Sequence, residues 1–445
     1  MSAATHIAIV GGGASGVILT AHLLRSNDPG LRVTLIEKRD AFGQGMAYST
    51  SLPDHLLNVS AMGMSAFADD PEHFWRWVHA RGLTNDRTIP YYAPRSLYGI
   101  YLHELLDDLV KQEPRRLRLV HDVVTSVTPT AGGVDISLAG GVSIAAHYAV
   151  LAVGHDEEPA PDQDFAMRIG SRGDMPLDPG SRVMILGTGL SMVDAWLTLE
   201  HRGHHGEVIA VSRRGLLPSP HQPSRPIRLD SADIPLGTDL SYFVRWFRDL
   251  VRTTEAAGKN WRDVVDGIRP FNQQIWQSWP VGAKSRFLQH TKAWWDIHRH
   301  RMAPAIHRRL TEAVNSGRLK LIAGRIVRVA AKNGGNAVTL QRRHMQSFEE
   351  IEVQRIYDCT GIVKDVSTGS ITVLRSLTDR GYARPDPLRL GLDVTPGCAV
   401  IDASGTASKR LFAVGSLTRG TFFEIDAIPD IRVQCARLAR HLVSG

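Results

Sequence analysis

The chain has 445 residues, 43% of them apolar and 22% charged, with a net charge of +7. That length suits two or three domains with more than one core, and the composition is that of an ordinary globular enzyme. The basic side chains are scattered, which argues for a mildly cationic pocket and against nucleic-acid binding. Three cysteines, Cys359, Cys398 and Cys435, form no CxxC pair. This argues against a disulfide framework and for a reducing, cytoplasmic compartment. The chain enters an apolar segment almost at once, so no cleavable leader is expected. Glycines and His22 interrupt the stretch from Ile7 to Leu24, so it reads as a turn and a buried helix, with no membrane span.

The first element is a strand, Ile7–Val10, followed by Gly11-Gly12-Gly13-Ala14-Ser15-Gly16 and a helix from Val17 to Leu24. In this strand–turn–helix Gly11 permits the tight turn, Gly13 lets a pyrophosphate approach the backbone and Gly16 lets the helix pack close. A second strand, Val33–Ile36, ends at Glu37, where a carboxylate binds ribose hydroxyls and disfavours a 2′-phosphate. The site therefore suits FAD or NAD. Lys38 and Val124 are further candidate cofactor contacts. The segment Gly43–Ser49, with Gly45, Met46, Ala47 and Tyr48, is a flexible loop placed to run along the pyrophosphate toward a flavin ring. His55–Val59, with Asn58, and Met62–Ser65, with Met64, continue that path. Asp69-Asp70-Pro71 reads as a helix start, with Trp75, Trp77 and Val78 as the apolar face. Arg95 opens the next helix and is a candidate for holding flavin or phosphate. Tyr148–Gly154 reads as a buried strand ending in glycine.

A second glycine turn follows the strand Val183–Leu186, as Gly187-Thr188-Gly189-Leu190-Ser191-Met192. Gly189, Leu190 and Ser191 would face a second pyrophosphate. Met192 stands where the third glycine belongs, so looser helix packing is expected. The strand Val208–Val211 leads into Ser212-Arg213-Arg214, a hydroxyl and two guanidinium groups suited to a 2′-phosphate. The second cofactor is therefore read as NADPH.

The pattern turns helical from about Gly215 to Gly317, and five of the nine tryptophans lie between Trp261 and Trp295. Within Trp294–Arg301, His298, Arg299 and Arg301 are candidates to face a substrate anion or the nicotinamide. His298 and His300 point to different sides of a helix, so no metal site is expected. A strand ending at Gly361 resembles the one ending at Gly154. Asp402 is read as lying in a flavin-adjacent strand–turn. Leu411–Gly415 is another apolar strand ending in glycine. Thr421, then Ile428 and Pro429 at the start of the last helix, would place that helix N-terminus against the flavin.

Taken together, Gly43–Ser49, His55–Val59, Asp69–Phe74, Gly187–Asp194, Ser212–Pro218, Trp295–Arg301 and Gly415–Arg432 resemble the FAD/NAD(P)-binding proteins of the YdhS-like family, over Ile7 to about Leu438. The resemblance implies a split FAD domain with an inserted NAD(P) domain, as in the two-dinucleotide-binding flavin monooxygenases that include N-hydroxylases and Baeyer–Villiger enzymes. Urate hydroxylation is attached to similar sequences, which raises a purine or other nitrogen heterocycle as substrate. The Baeyer–Villiger fingerprint is not visible; Gly154-His155 is the nearest fragment.

The expected architecture is α/β: two Rossmann-like dinucleotide-binding domains plus a helical, Trp-rich insert. The first part of the FAD domain would span 1–180, the NAD(P) domain 181–350 with its insert at about 216–316, and the second part of the FAD domain 351–445. The expected activity is an FAD-dependent, NADPH-driven monooxygenase. It would hydroxylate a small, nitrogen-containing substrate with molecular oxygen through a flavin hydroperoxide. Arg95, His298 and Arg299 are the candidate catalytic groups. The aromatic insert offers a homodimer surface. A flavin oxidoreductase or oxidase without oxygen insertion, and a dinucleotide-sensing or partner-binding protein, are the alternatives. A thiol–disulfide reductase is disfavoured for want of a close cysteine pair.

Overall fold

The structure is a computed structural model, and it describes residues 5–155, 165–171, 173–332, 334–361 and 365–444. The chain divides into two compact units. The first comprises Met1–Glu158, Asn272–Val281 and Val363–Gly445, the second Pro159–Phe271 and Gly282–Ile362.

Apolar strands and a glycine turn open the first unit. Strand β1 (His6–Val10) is followed by helix α1 (Ala14–Leu24) and β2 (Arg32–Glu37). Helices α2 (His73–His79) and α3 (Arg95–Gln112) precede β3 (Leu117–His121). A three-stranded antiparallel sheet, β4 (Val124–Pro129), β5 (Val134–Leu138) and β6 (Ser143–Ala146), then leads to β7 (Tyr148–Leu151). Ile7, Ala8 and Ile9 are fully buried, as expected of a parallel strand covered on both faces.

The second unit repeats the plan. It begins with β8 (Val183–Leu186), α4 (Leu190–His201) and β9 (Val208–Ser212). The helical stretch holds α5 (Leu240–Ala256), α6 (Trp261–Ile268), α7 (Asn272–Ser278), α8 (Val281–Arg286), α9 (Lys292–Arg299) and α10 (Pro304–Asn315). Then come β10 (Leu319–Lys332), β11 (Gly335–Arg342), β12 (Phe348–Val353) and β13 (Arg355–Asp358). The chain returns to the first unit with α11 (Thr372–Asp379), β14 (Ala399–Ile401), β15 (Ala407–Ala413) and α12 (Ile428–Ser444).

The first sheet has the order β14-β15-β7-β1-β2-β3, parallel except for the edge strand β14. The second has the order β12-β11-β10-β9-β8-β13, in which β10, β9, β8 and β13 are parallel. Each places its first strand between its second and fourth. Such a reversal of strand order opens a crevice at the strands' C-terminal ends.

Three boundaries differ from the sequence expectation. The opening part of the first unit ends at Glu158 and not at 180, and the stretch after it belongs to the second unit, where Met167 bridges Tyr357 of β13. β12 and β13 belong to the second unit's sheet, because β13 pairs with β8 and β12 with β11, so the return to the first unit comes after 351. Helix α7, expected within the inserted helical region, is part of the first unit. There Trp276 Nε1 donates to Gly420 O at 2.8 Å, its ring stacks on Phe423 at 4.7 Å, and Asn272 Nδ2 donates to Glu424 Oε2 at 2.8 Å. The expected cap at Asp69 and Asp70 is also displaced. α2 starts at His73, while Asp69 forms a forked pair with Arg25 and Asp70 with Arg76.

In the second unit Asp174, its side chain wholly buried, accepts from Gly170 N–H at 2.7 Å, Arg202 at 2.6 Å, Arg355 at 2.8 Å and the Tyr357 hydroxyl at 2.7 Å. Burial opposes its ionisation, but these donors outweigh it and hold the carboxyl below the usual range. A carboxyl depressed in the folded state stabilises above its unfolded pKa, and that stability is lost as pH falls through the folded value. Denaturant unfolding is therefore expected to show D174A destabilised by about 3 kcal/mol at pH 7. The gap to the native protein should close as pH falls below about 4.

Candidate functional site

At the C-terminal ends of the first unit's parallel strands lies a cavity of about 410 Å³. Its size is within the range of ligand pockets. Its walls begin with the first glycine turn. Gly11 has φ +105°, and a Cβ there would lie 2.5 Å from Ala152 O. A Cβ on Gly16 would lie 2.0 Å from Gly11 O. Only glycine fits either position. Gly13 is less crowded, its nearest neighbour being Gly45 Cα at 3.4 Å from a built Cβ. The bare backbone of Gly13 faces the cavity, together with Ala14 and Ser15. Helix α1 has no side-chain cap, so its positive N-terminal end is presented to the cavity. These are the features a pyrophosphate requires.

Glu37, the last residue of β2, is 7% exposed and already organised. Gly12 N–H donates to its Oε2 at 2.6 Å and Arg39 N–H to its Oε1 at 2.9 Å. A carboxylate oxygen accepts more than one bond, so both remain able to take ribose hydroxyls. Lys38 and Arg39 line the same end, with Asp122, Val123 and Val124 at the end of β3 and start of β4. Arg39 Nη1 donates to Gly45 O at 2.9 Å and so fixes the loop that carries Met46, Ala47 and Tyr48 along the wall. Burial pushes the Tyr48 phenol above its ordinary range, with Arg95 pulling against it.

The other end of the cavity follows β7 and β15. Gly154, His155, Ser416, Asp426, Ile428 and Ile431 wall it. Gly415 has φ +72°, and a Cβ there would meet Ser15 Oγ at 2.5 Å, so glycine lets the end of β15 close on α1. Pro429 is the second residue of α12, and Ile428, its first, reaches the cavity as expected. Arg419 Nε and Nη2 donate to Asp426 Oδ2 at 2.9 and 2.6 Å, and His155 Nε2 lies 3.3 Å from Asp426 Oδ1. Burial opposes the ionisation of Asp426, but Arg419 and His155 hold its carboxyl well below the usual range.

Several sequence candidates do other work. Arg95 does not line the cavity; its N–H donates to His55 O at 2.8 Å and its Nε to Leu56 O at 3.3 Å, tying the loop that precedes it. Asn58 is half-buried, and Met64 lies in the first unit's core. Thr421 Oγ1 donates to Val394 O at 2.9 Å. Asp402 does not line the cavity. It is half-buried in the β14–β15 hairpin, where it accepts from Ser404 and Thr406 N–H at 2.9 Å. Conversely, His155, Asp426, Ser416 and Ser370–Val373 line the cavity although no motif marks them. Their signal is position: each comes after the end of a strand or opens a helix beside the strand-order reversal.

The second glycine turn has the same local build. Gly187 has φ +101°, and a Cβ there would lie 2.6 Å from Cys359 O. Gly189 caps α4, which has no side-chain cap, and Leu190 and Ser191 open its first turn. Met192, at the third glycine position, is fully buried, and the turn keeps its positive φ at Gly187 without that glycine. At the end of β9, Ser212 Oγ accepts from Gly215 N–H at 2.9 Å and lies 2.9 Å from Thr188 Oγ1, which ties this strand end to the turn. Arg213 is exposed, and Arg214 Nη2 donates to His290 O at 2.8 Å. Gly361 lies beyond the end of β13, in the second unit, with φ +141°. His298 and Arg299 close α9, also in the second unit. The His298 ring stands edge-on to Trp261 at 4.6 Å, and its Nδ1 bonds Trp294 O at 2.7 Å. Arg301 is 3% exposed and paired with Asp266.

Two sheets of reversed strand order, each with a glycine turn opening a helix, give the fold of the two-dinucleotide-binding flavoproteins. Residues 8–156 match a protein-family model described as FAD-NAD(P)-binding. A curated relative, the FAD-dependent monooxygenase eupB of Phoma sp, is 26% identical over 219 residues, 42% of this chain and 48% of its own length. The match thus spans about half of that relative. Among solved structures, the ornithine N-hydroxylase of Kutzneria sp. 744, with reduced FAD, NADP⁺ and L-ornithine, superposes with a TM-score of 0.66 at 14% identity over 99% of both chains. The FAD-bound cadaverine monooxygenase of Erwinia amylovora gives 0.65 at 13% identity over 100% of this chain and 95% of its own. Thioredoxin reductase of Lactococcus lactis gives 0.55 at 12% identity over 99% of both. At these identities the likeness is one of fold. Among the described residues no helix is long and apolar enough to cross a membrane, and no cluster of three metal-ligating side chains occurs.

Flavin content of the purified protein, read as the ratio of visible to ultraviolet absorbance, tests the cavity. E37A is expected to lose bound flavin and E37Q to lose less, because Gln still accepts from Gly12 N–H. Equal flavin retention in all three proteins would show that Glu37 does not hold the ribose.

Proposed function

We propose that the chain is an FAD-dependent, NADPH-driven monooxygenase of the N-hydroxylase type, acting on a small nitrogen-containing substrate. The observation that carries it is the difference between the two turns. The first is followed by the buried carboxylate Glu37, the second by Ser212, Arg213 and Arg214. A carboxylate suits an unphosphorylated ribose, and a hydroxyl with two guanidinium groups suits a 2′-phosphate. The first unit accordingly holds FAD and the second NADPH. When bound, NADPH would supply the two electrons as hydride and FAD the oxygen chemistry, with one oxygen atom going to the substrate and the other to water.

The protein's own part is binding, orientation and exclusion of water. Gly13, Ala14 and Ser15 hold the pyrophosphate at the start of α1, and Glu37 orients the ribose. Gly45–Tyr48 cover it from the side. Ile428, with the N-terminus of α12, offers partial positive charge to the ring. In the second unit Gly189, Leu190 and Ser191 receive the pyrophosphate of NADPH. Thiol chemistry is disfavoured on this chain. Burial pushes the Cys359 and Cys398 thiols up to about 12 and Cys435 higher still, so none is a thiolate at neutral pH.

The names of the structural neighbours, hydroxylases of ornithine, lysine and cadaverine, put amines first in a substrate screen. A purine substrate finds no support among them. The YdhS-like assignment within this group is part of the proposal.

Two measurements test it. Anaerobic reduction by NADPH, then rapid mixing with air, should give a transient spectrum distinct from reduced and oxidised flavin. Direct return to the oxidised spectrum with every amine screened would favour an oxidase. The double variant R213A/R214A should raise KM for NADPH at least tenfold, about 1.4 kcal/mol, with little change for NADH. An unchanged preference would refute the assignment of NADPH to this turn.

A further inference from the structure

The strand ends of the first unit run in the order β15-β7-β1-β2-β3. A dinucleotide with its adenosine at Glu37 on β2 would extend its second half toward β7 and β15. His155 comes just after β7, and Arg419 and Asp426 come after β15, so all three fall on the flavin half. His155 and Asp426 wall the main cavity. His155 and Arg419 also wall a small recess of about 20 Å³, shared with Asp365.

The three side chains form one cluster. Arg419 Nε and Nη2 lie 2.9 and 2.6 Å from Asp426 Oδ2, while His155 Nε2 lies 3.3 Å from both Asp426 Oδ1 and Arg419 Nη2. Asp426 and Arg419 sum to zero charge across the working pH range. Histidine is the kind of side chain whose charge can change in that range. The recess also holds Asp365, which is paired with Arg389, and the far end of the main cavity holds Glu37, Lys38, Arg39 and Asp122. Asp156, Glu157 and Glu158 come next in sequence and lie outside the described residues.

We propose that His155, held between Asp426 and Arg419, takes up a proton when the bound flavin is reduced and so sets its redox poise. This rests on the reading of the cavity as the flavin site. A hydride brings the ring two electrons and one proton and leaves it with one added negative charge. His155 draws a second proton from water, and the imidazolium offsets that charge across a wall of low dielectric. Reduction then consumes two protons per two electrons in the pH window between His155's two proton affinities, and one outside it. Asp426 is a positioning residue: it orients the imidazole and favours its charged form.

The test is the midpoint potential of the bound flavin against pH, measured by reductive titration with reference dyes on the native protein, H155Q and D426N. Any break due to the ring's own N1 proton is common to all three. In the native protein the slope is expected to double within one further window. H155Q should keep flavin and lose that doubling. D426N should keep it, displaced to lower pH, because a neutral partner no longer favours the imidazolium. An H155Q plot that superimposes on the native one overturns the proposal. Should H155Q shed its flavin, an unmoved window in D426N overturns it equally. A native protein that binds no FAD refutes the reading of the cavity itself.

Discussion

The architecture depends on two close approaches of backbone to backbone. At Gly11 and again at Gly187 the chain turns with φ near +100° under the carbonyl of the segment leaving the neighbouring parallel strand, Ala152 in one sheet and Cys359 in the other. A Cβ at either position would overlap that carbonyl. The contact lets the first strand lie beside both the second and the fourth, and that arrangement opens the crevice. Each helix then begins with unfilled amide groups pointing into it. The exposed helix N-terminus of each unit thus comes from a steric requirement rather than from any charged side chain.

Charge enters one strand further on and differentiates the two turns. Glu37 is buried and held by two backbone amides, so its carboxylate is fixed before a ligand arrives. Ser212 is likewise held, by Thr188 and Gly215, while Arg213 stays exposed. A preorganised acceptor recognises hydroxyls, and guanidinium groups suit a phosphate. At the far end of the first cavity the His155, Asp426 and Arg419 cluster adds a titratable charge where the ring's charge changes. The same fold can therefore take two related cofactors and treat them differently.

Much of this is legible in the sequence, for physical reasons. β1, β2, β8 and β9 are short apolar runs ended by glycine or by a polar residue, and a strand buried on both faces reads that way. The places of Glu37 and Ser212–Arg214 are legible because they mark the end of the second strand of each strand–helix–strand unit. The antiparallel strands β4–β6 and the extension β10–β12 are not, since their exposed and buried residues alternate over short runs. Helix α7 reads as part of the inserted region because its contacts lie far off in sequence. Trp276 bonds Gly420, 144 residues away, and Asn272 bonds Glu424, 152 away. Arg95 illustrates the opposite error: a cation at a helix start invites a phosphate, but here it bonds backbone carbonyls. His155 stands in the sequence only as the fragment Gly154-His155, and its partners Arg419 and Asp426 come more than 260 residues later.

In the proposed function each turn would receive its own dinucleotide, and the residues after the second strand would tell the two apart. A crystal structure of the protein with FAD and NADP⁺ puts this to the most direct test. The FAD pyrophosphate is expected on Gly13–Ser15 with a ribose on Glu37, and the NADP⁺ 2′-phosphate at Ser212–Arg214. FAD on the second turn, or a 2′-phosphate bound away from Arg213 and Arg214, would contradict it.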